Sequence, residues 1–233
     1  MVEWRVRLPA DADIETIRRL GTELPGYPHR QEETVWQLAA KIEKGNPSSI
    51  SSRNLGVRVC RFTSNDKLRI AQVGLESCSF HQLRPYPRWI DVSKEALQLW
   101  AAYHRAMHPV EVTRLAVRNI NQVLLPAGSG VEQCFRVAPT LPPGLETARV
   151  ENSLLRYTVS RPNKGETLGA NVIMTVGQIP DGSRQVTLDV DAYFAEPCSP
   201  EDPSIETRLE ELHVFKNDVF FSFLTEGAIK EFK

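Results

Sequence analysis

The alternation of apolar and charged residues predicts a strand at the start of the chain, followed by a short helix. Residues 2–8 (VEWRVRL) have the period of a strand with one buried face. Ile14, Ile17 and Leu20 have helical spacing, and Asp13 is a candidate N-cap. The chain therefore begins with one strand and one helix.

A second helix is predicted at residues 31–44. Val35, Leu38, Ala39 and Ile42 would form one apolar stripe along it. The next segment, GNPSSISSRN at residues 45–54, is rich in turn-forming residues and has little to bury. We therefore expect a loop there.

From Leu55 onward the pattern changes to that of a sheet. The segments GVRVCRFTS, KLRIAQVG and ESCSFHQLRP predict three antiparallel strands, and the turn SNDK joins the first two as a hairpin. A helix is predicted to begin at Ser93 and to end before Pro109, with Trp100 on its apolar face. A long strand is predicted to follow at residues 112–125.

The second half of the chain repeats this order after a break. Residues 126–146 are rich in proline and glycine, and they form the best candidate linker between halves at residues 1–125 and 147–233. Three strand patterns and a helix at residues 204–224 follow the linker. The sequence thus favours an α+β fold with a largely antiparallel sheet, packed helices and two pseudo-repeated halves, each of three strands then a helix, in one compact unit.

Composition and charge narrow the functional classes. The 28 basic and 29 acidic residues leave no global field for phosphate backbones, so we expect no non-specific nucleic-acid binding. No run approaches the roughly 18 apolar residues of a membrane span, and the N-terminus lacks a secretory signal pattern. We expect a cytoplasmic protein that does not bind membranes, with free thiols at its four separated cysteines.

No segment carries a catalytic or cofactor motif. His104 and His108 have the spacing of two metal ligands on a helix, but Arg105 stands where a zinc protease has glutamate, and no third ligand is evident. Packing or solvent exposure is the favoured interpretation of both histidines. The chain also lacks a glycine-rich phosphate loop and a nucleophile elbow. We predict no catalytic residues, no metal and no cofactor.

Charged side chains in the middle of two predicted strands form one candidate site. Asp189 and Asp191 share one face of a strand, and Arg114 and Arg118 share one face of another. Paired carboxylates can bind a cation or act in acid and base catalysis, whereas opposite charges on neighbouring strands more often form structural ion pairs. If the sheet carries a ligand pocket, we expect these four residues to line it.

A proline-stiffened turn forms the second candidate site. Arg84, Tyr86, Arg88 and Trp89 bring aromatic and guanidinium groups together in the segment RPYPRW. Such side chains stack on ring ligands and supply many hot spots in protein interfaces. The structural alternative is that Tyr86 and Trp89 cover the end of the sheet.

Several segments resemble an uncharacterised, sporadically distributed prokaryotic protein family. The shared features are an F-x-S-x-D-like hairpin, a Q-V-G strand, a P-Y-x-x-W turn, an R-x-x-x-R-x-I-N strand and a late K-N-x-x-F-F helix. The chain departs from the family at Asn65–Asp66, where Asp then Gly is usual, and at His81, where Asn is common. The resemblance implies a fold but no activity, and the family's patchy distribution suggests mobile or phage-defence genes.

Together these observations favour a non-catalytic binding or accessory protein that recognises a protein partner. The alternative from another class is a small-ligand or nucleotide-binding domain, with or without enzymatic activity, that uses the charged strand residues.

Overall fold

A computed structural model describes residues 1–43, 46–125, 128–145, 148, 150–179 and 182–231. Within these residues the chain forms antiparallel strands and α-helices in two units. The first unit contains residues 1–114 and 197–202, and the second contains residues 115–196 and 203–233. The predicted α+β class with largely antiparallel sheet is confirmed. The predicted division at residues 126–146 stays a prediction.

The first unit is a sheet with two helices. Its elements are β1 (Val2–Arg7), α1 (Ile14–Leu20), β2 (His29–Glu43), β3 (Asn46–Thr63), β4 (Arg69–Gly74), β5 (Ser77–Gln82) and α2 (Trp89–Met107). The strand order is β2-β3-β4-β5-β1, with antiparallel neighbours. The predicted first strand and first helix are confirmed, and the Thr16 backbone N–H donates to the Asp13 side chain at 2.8 Å.

One face of this sheet bears both helices. The Trp4 ring stacks on Trp100 of α2 with centroids 5.2 Å apart, and the Tyr103 hydroxyl donates to the Gly74 carbonyl at 3.0 Å. Phe62 and Phe80 are buried on the same face. Because side chains alternate along a strand, the residues between these positions lie on the opposite face.

The predictions for residues 31–54 were wrong. Residues 31–43 continue strand β2, and residues 46–54 belong to β3. The two strands pair from His29 opposite Thr63 to Glu43 opposite Asn46. Of the predicted helix and loop, Lys44 and Gly45 lie outside the described residues. The i, i+3, i+4 apolar spacing suggested a helix, but pairing with a distant strand decided the local structure.

The outer part of this hairpin is a two-stranded arm. Beyond the segment where β3 pairs with β4, residues 34–43 and 46–57 pair only with each other among the described strands. Trp36, on β2 within the arm, is exposed. The register also shifts near Thr34 and after Lys41, so the arm is irregular along its length.

The second unit contains strands and helices as well. It contains β6 (Glu111–Leu125, of which the residues up to Arg114 belong to the first unit), β7 (Ser153–Asn163), β8 (Glu166–Gln178), β9 (Arg184–Phe194), α3 (Ile205–Ser222) and α4 (Glu226–Glu231). The strand order is β6-β9-β8-β7. Helix α3 packs on β8 and β9 and buries Leu212 and Phe215, which confirms the predicted C-terminal helix.

The remaining predictions differ in detail. Helix α2 begins at Trp89 rather than Ser93; the preceding residue, Arg88, has the extended backbone of an N-cap but makes no side-chain cap hydrogen bond. The region predicted as a linker contains a 3₁₀ turn at Val131–Gln133, while residues 126, 127 and 146 lie outside the described part. Cys60 and Cys78 are buried and have free thiols, as predicted, whereas Cys134 and Cys198 are only partly buried. Among the described residues, no helix combines the length and apolar character needed to cross a bilayer.

Candidate binding site

The turn between β5 and α2 presents exposed apolar side chains. Leu83, Tyr86 and Ile90 retain 45%, 51% and 59% of their accessible surface. The turn is held at its start by the Leu83 N–H, which donates to the Leu68 carbonyl at 2.7 Å. Large apolar side chains clustered on a surface mark interaction sites more often than isolated ones do. We call the residues Leu83, Arg84, Tyr86, Arg88 and Ile90 the turn surface.

Two arginines give the turn surface its charge. Arg84 and Arg88 are exposed, and Arg88 Nε lies 3.3 Å from the Asp91 carboxylate one helical turn away. Exposed ion pairs of this kind contribute little stability and are readily exchanged. Trp89, the fourth residue predicted here, is half-buried in the first turn of α2. The turn surface therefore combines apolar area with guanidinium donors, while Trp89 lies partly inside.

The charged strand residues form ion pairs within each unit. Arg114 Nη1 donates to Glu3 at 2.7 Å in the first unit. In the second unit, both Arg118 Nε and Nη2 donate to the Asp189 carboxylate, with the Nε bond at 2.8 Å. Asp191 lies on the same face of β9 as Asp189 and opposite Arg118 in the register. The structure thus brings Arg118 and Asp189 together, and Glu3 is a partner that the sequence did not predict.

Two cavities flank the start of β2, a feature that the sequence interpretation missed. The larger, about 690 Å³, is lined by Pro28, His29, Arg30, Gln31, Arg61, Thr63, Lys67 and Ile70. The smaller, about 400 Å³, is lined by Arg18, Gly21, Thr22, Leu24, Pro25, Tyr27, Pro28, Arg30 and Phe62. Neither is lined by the four charged strand residues. The side chains of residues 29–31 and 61–63 come together because β2 pairs with β3, so the sequence could have indicated these cavities only if β2 had been recognised as a strand.

The arginines that line these two cavities form ion pairs with glutamates of β2. Arg18 donates to both oxygens of Glu32, at 3.0 and 2.8 Å, and this hydrogen bonding lowers the pKa of Glu32. Arg30 lies 3.3 Å from the same carboxylate, and Arg61 lies 2.9 Å from Glu33. The lining side chains themselves include no carboxylate.

Helix α3 contains a buried lysine. Lys216 is 5% exposed, and burial lowers its pKa to about 8. Burial, and then the charge of Lys216, lower the pKa of the neighbouring His213. Lys216 belongs to the late K-N-x-x-F-F pattern, but no sequence pattern indicated its burial.

Serine and histidine side chains that could take part in catalysis or metal binding lie on β5 and α2. Ser79 Oγ and His81 Nε2 are 3.0 Å apart on β5, and the Ser79 side chain is buried. His104 contacts the ring of Trp100, and His108 is the left-handed C-cap of α2. Among the described residues, no cluster of three His, Cys, Asp or Glu side chains has the arrangement of a metal site.

Comparison of the chain with protein-family models, curated proteins and solved structures found no match.

Proposed function

We propose that this chain is a non-catalytic accessory protein that recognises a protein partner through the turn surface. The observation that carries the proposal is the exposure of Leu83, Tyr86 and Ile90 beside two arginines. Tyrosine and arginine are enriched among interface residues that dominate binding energy, and the cost of exposing three apolar side chains to water disappears when a partner covers them. A formal net charge of −1 gives no comparable support for nucleic-acid binding.

The proposal is tested by site-specific crosslinking, followed by measurement of the affinity for the purified partner. A photoreactive phenylalanine analogue replaces Tyr86 in one variant and Tyr157, an exposed tyrosine of β7, in a matched control. We expect a covalent adduct with one defined protein from position 86 and none from position 157. The partner is then purified, and its Kd is measured for the wild type and for Tyr86→Ala.

We expect Tyr86→Ala to weaken this complex by about tenfold or more, as truncation of an interface hot spot does, with an unchanged Tm. Equal adducts from both positions, or equal affinity of the two proteins, would contradict the proposal. A drop in Tm would instead assign Tyr86 to the structural role of covering the sheet.

The alternative of a small-ligand or nucleotide-binding domain stays a prediction. The ion pairs Arg114–Glu3 and Arg118–Asp189 weigh against it, because a ligand would have to displace these carboxylates. Equilibrium dialysis with ATP is the direct test. Saturable binding that is lost in Arg118→Gln would favour the alternative.

We also propose that the two units share one plan, as their sequence order suggested. Neighbouring strands follow the order β3-β4-β5-β1 in the first unit and β7-β8-β9-β6 in the second. In each unit a helix follows the third of these strands and packs on it, α2 on β5 and α3 on β9.

A cytoplasmic location and a place in a mobile or phage-defence gene cluster complete the proposal. Cell fractionation and the identity of neighbouring genes test them.

A further inference from the structure

We propose that the edge of β2 at residues 29–33 captures an extended segment of the partner, with alternating acidic and apolar residues, as an added strand. This deepens the proposed function and rests on one part of it, the recognition of a protein partner, because it names the element of the partner that is bound. It concerns a surface separate from the turn surface, so the two ideas fail in different experiments.

The backbone of residues 29–33 offers a regular edge. These residues pair with β3 in unbroken register, from His29 opposite Thr63 to Glu33 opposite Val59, and the register shifts immediately afterwards. Among the described strands β2 pairs with β3 alone, so its other side is an edge. An edge strand presents N–H and C=O groups that can pair with an extended peptide. The regular stretch is five residues long, which matches a short recognition segment.

A cavity lies on each side of this edge. The larger cavity is lined by His29, Gln31 and Arg61, whose side chains are on the face opposite the helices. The smaller is lined by Phe62 from the helix-bearing face and by residues of α1 and the segment that follows it. Pro28 and Arg30 line both cavities. Because side chains of an added strand alternate between two faces, successive residues would enter the two cavities in turn.

The lining chemistry selects what each cavity takes. The larger cavity is lined by Arg30, Arg61, Lys67 and His29, with no carboxylate among its lining residues. Arg30 is paired with Glu32, and Arg61 is paired with Glu33. Each guanidinium has five N–H donors, so it can still bind a second acceptor. Lys67, in the turn between β3 and β4, lies outside these pairs. Acidic side chains therefore fit this cavity.

The smaller cavity is largely apolar. Six of its nine lining residues are apolar or aromatic: Gly21, Leu24, Pro25, Tyr27, Pro28 and Phe62. The two arginines in the lining, Arg18 and Arg30, are both paired with Glu32. An aliphatic side chain fits such a surface better than a charged one does. A segment that alternates acidic and aliphatic residues satisfies both cavities at once.

The experiment uses a fluorescein-labelled octapeptide of alternating glutamate and valine, with binding followed by fluorescence polarisation. The control peptide has the same composition in two blocks, four valines followed by four glutamates. We expect the alternating peptide to bind at least about tenfold more tightly, because only it matches the two cavities. Equal binding of the two peptides would reduce the effect to charge attraction and overturn the proposal.

Backbone pairing is tested on the wild-type protein with two further peptides. One is N-methylated at every glutamate and the other at every valine, which removes the N–H groups of one side of the strand at a time. In an added strand only one side faces β2, so we expect one isomer to lose binding and the other to keep it. Retention by both isomers would refute strand addition and assign the site to free anions or to nucleic acid.

A charge reversal on the protein locates the site. Lys67→Glu is expected to weaken binding of the alternating peptide by about tenfold. The matched control is Lys164→Glu, since Lys164 is also a hairpin lysine with a positive φ, 50° against 60° for Lys67. Equal loss in both variants would place binding elsewhere. If the alternating octapeptide does not bind while Tyr86 still crosslinks to a partner, the proposal for the β2 edge is wrong and the proposal for the turn surface stands. If the octapeptide binds and Tyr86 gives no crosslink, only the proposal for the turn surface is wrong.

Discussion

Replacement of Lys216 by methionine should stabilise the protein at neutral pH. The side chain is buried in α3, and burial lowers its pKa from the ordinary value of 10.5 to about 8. Within the part of the chain that the structure describes, no carboxylate forms an ion pair with its ammonium group. The folded state therefore disfavours the protonated lysine, whereas the unfolded chain does not. Each pKa unit corresponds to about 1.4 kcal/mol, so the shift is equivalent to about 3 kcal/mol.

The sign of the pH dependence follows from this lowered value. Below pH 8 both states are protonated and the full penalty of about 3 kcal/mol opposes folding. Between pH 8 and 10.5 the folded state releases its proton first, so stability rises with pH. Methionine has a similar volume and no charge to bury. We expect Lys216→Met to gain about 3 kcal/mol at pH 7 and only about 1.5 kcal/mol at pH 9.5.

Urea unfolding of the wild type and Lys216→Met at both pH values measures these differences. Lys94→Met is the matched control, because Lys94 lies on α2 and is exposed, and it should change stability by less than about 0.5 kcal/mol. A loss of stability in Lys216→Met at pH 7, or a gain that is the same at both pH values, would refute the argument that an uncompensated ammonium opposes folding. The ammonium would then have an interaction that offsets its burial.

Two further predictions concern packing in the second unit. Phe215 is 4% exposed and lies against the Arg161 guanidinium, so Phe215→Ala should lower the free energy of unfolding in urea by about 3 to 5 kcal/mol. Phe221→Ala, at a 44% exposed position of the same helix, is the control and should lower it by well under half of that. Equal losses would show that α3 is not held by this face. A Cβ added at Gly169 would meet the Tyr193 ring at 2.5 Å, so Gly169→Ala should lower stability by about 1 to 3 kcal/mol. Gly177→Ala on the same strand is the control and should lower stability less, because the nearest atom there is 3.4 Å away. An unchanged Tm for Gly169→Ala would mean that the ring moves aside without cost.

Local sequence was sufficient where local chemistry decides the structure. The alternation around Trp4 defined β1, and the Asp13 cap with the spacing of Ile17 and Leu20 defined α1. The part of β3 from Leu55 onward, together with β4 and β5, followed from the strand patterns and the hairpin turn. Helix α3 lies within the helix predicted at residues 204–224. In each case one element carries its own signal, and tertiary contacts agree with it.

The arm shows why the rest was not predictable. A two-stranded ribbon held by backbone pairing does not need alternating apolar residues, so GNPSSISSRN had the composition of a loop although most of it belongs to β3. The same error hid the β2 edge, since Arg30 and Arg61 become neighbours only when β2 pairs with β3. Arg84, Tyr86 and Arg88 could be singled out from the sequence, because proline, tyrosine and arginine lie next to one another there, whereas Leu83 and Ile90 were not predicted to belong to the site. The burial of Lys216 is a tertiary property that no short pattern contains.

The arm also divides the first unit into two levels of stability. Among the described strands, its residues 34–43 and 46–57 have one neighbouring strand each, whereas β4 and β5 are paired on both sides and have helices on one face. An isolated two-stranded hairpin is only marginally stable in water. Its amides should therefore exchange with solvent through local opening, while those of β4 and β5 exchange only when the whole unit unfolds. A protease that cleaves the arm would thus cut a native protein and leave the fold of the inner strands in place.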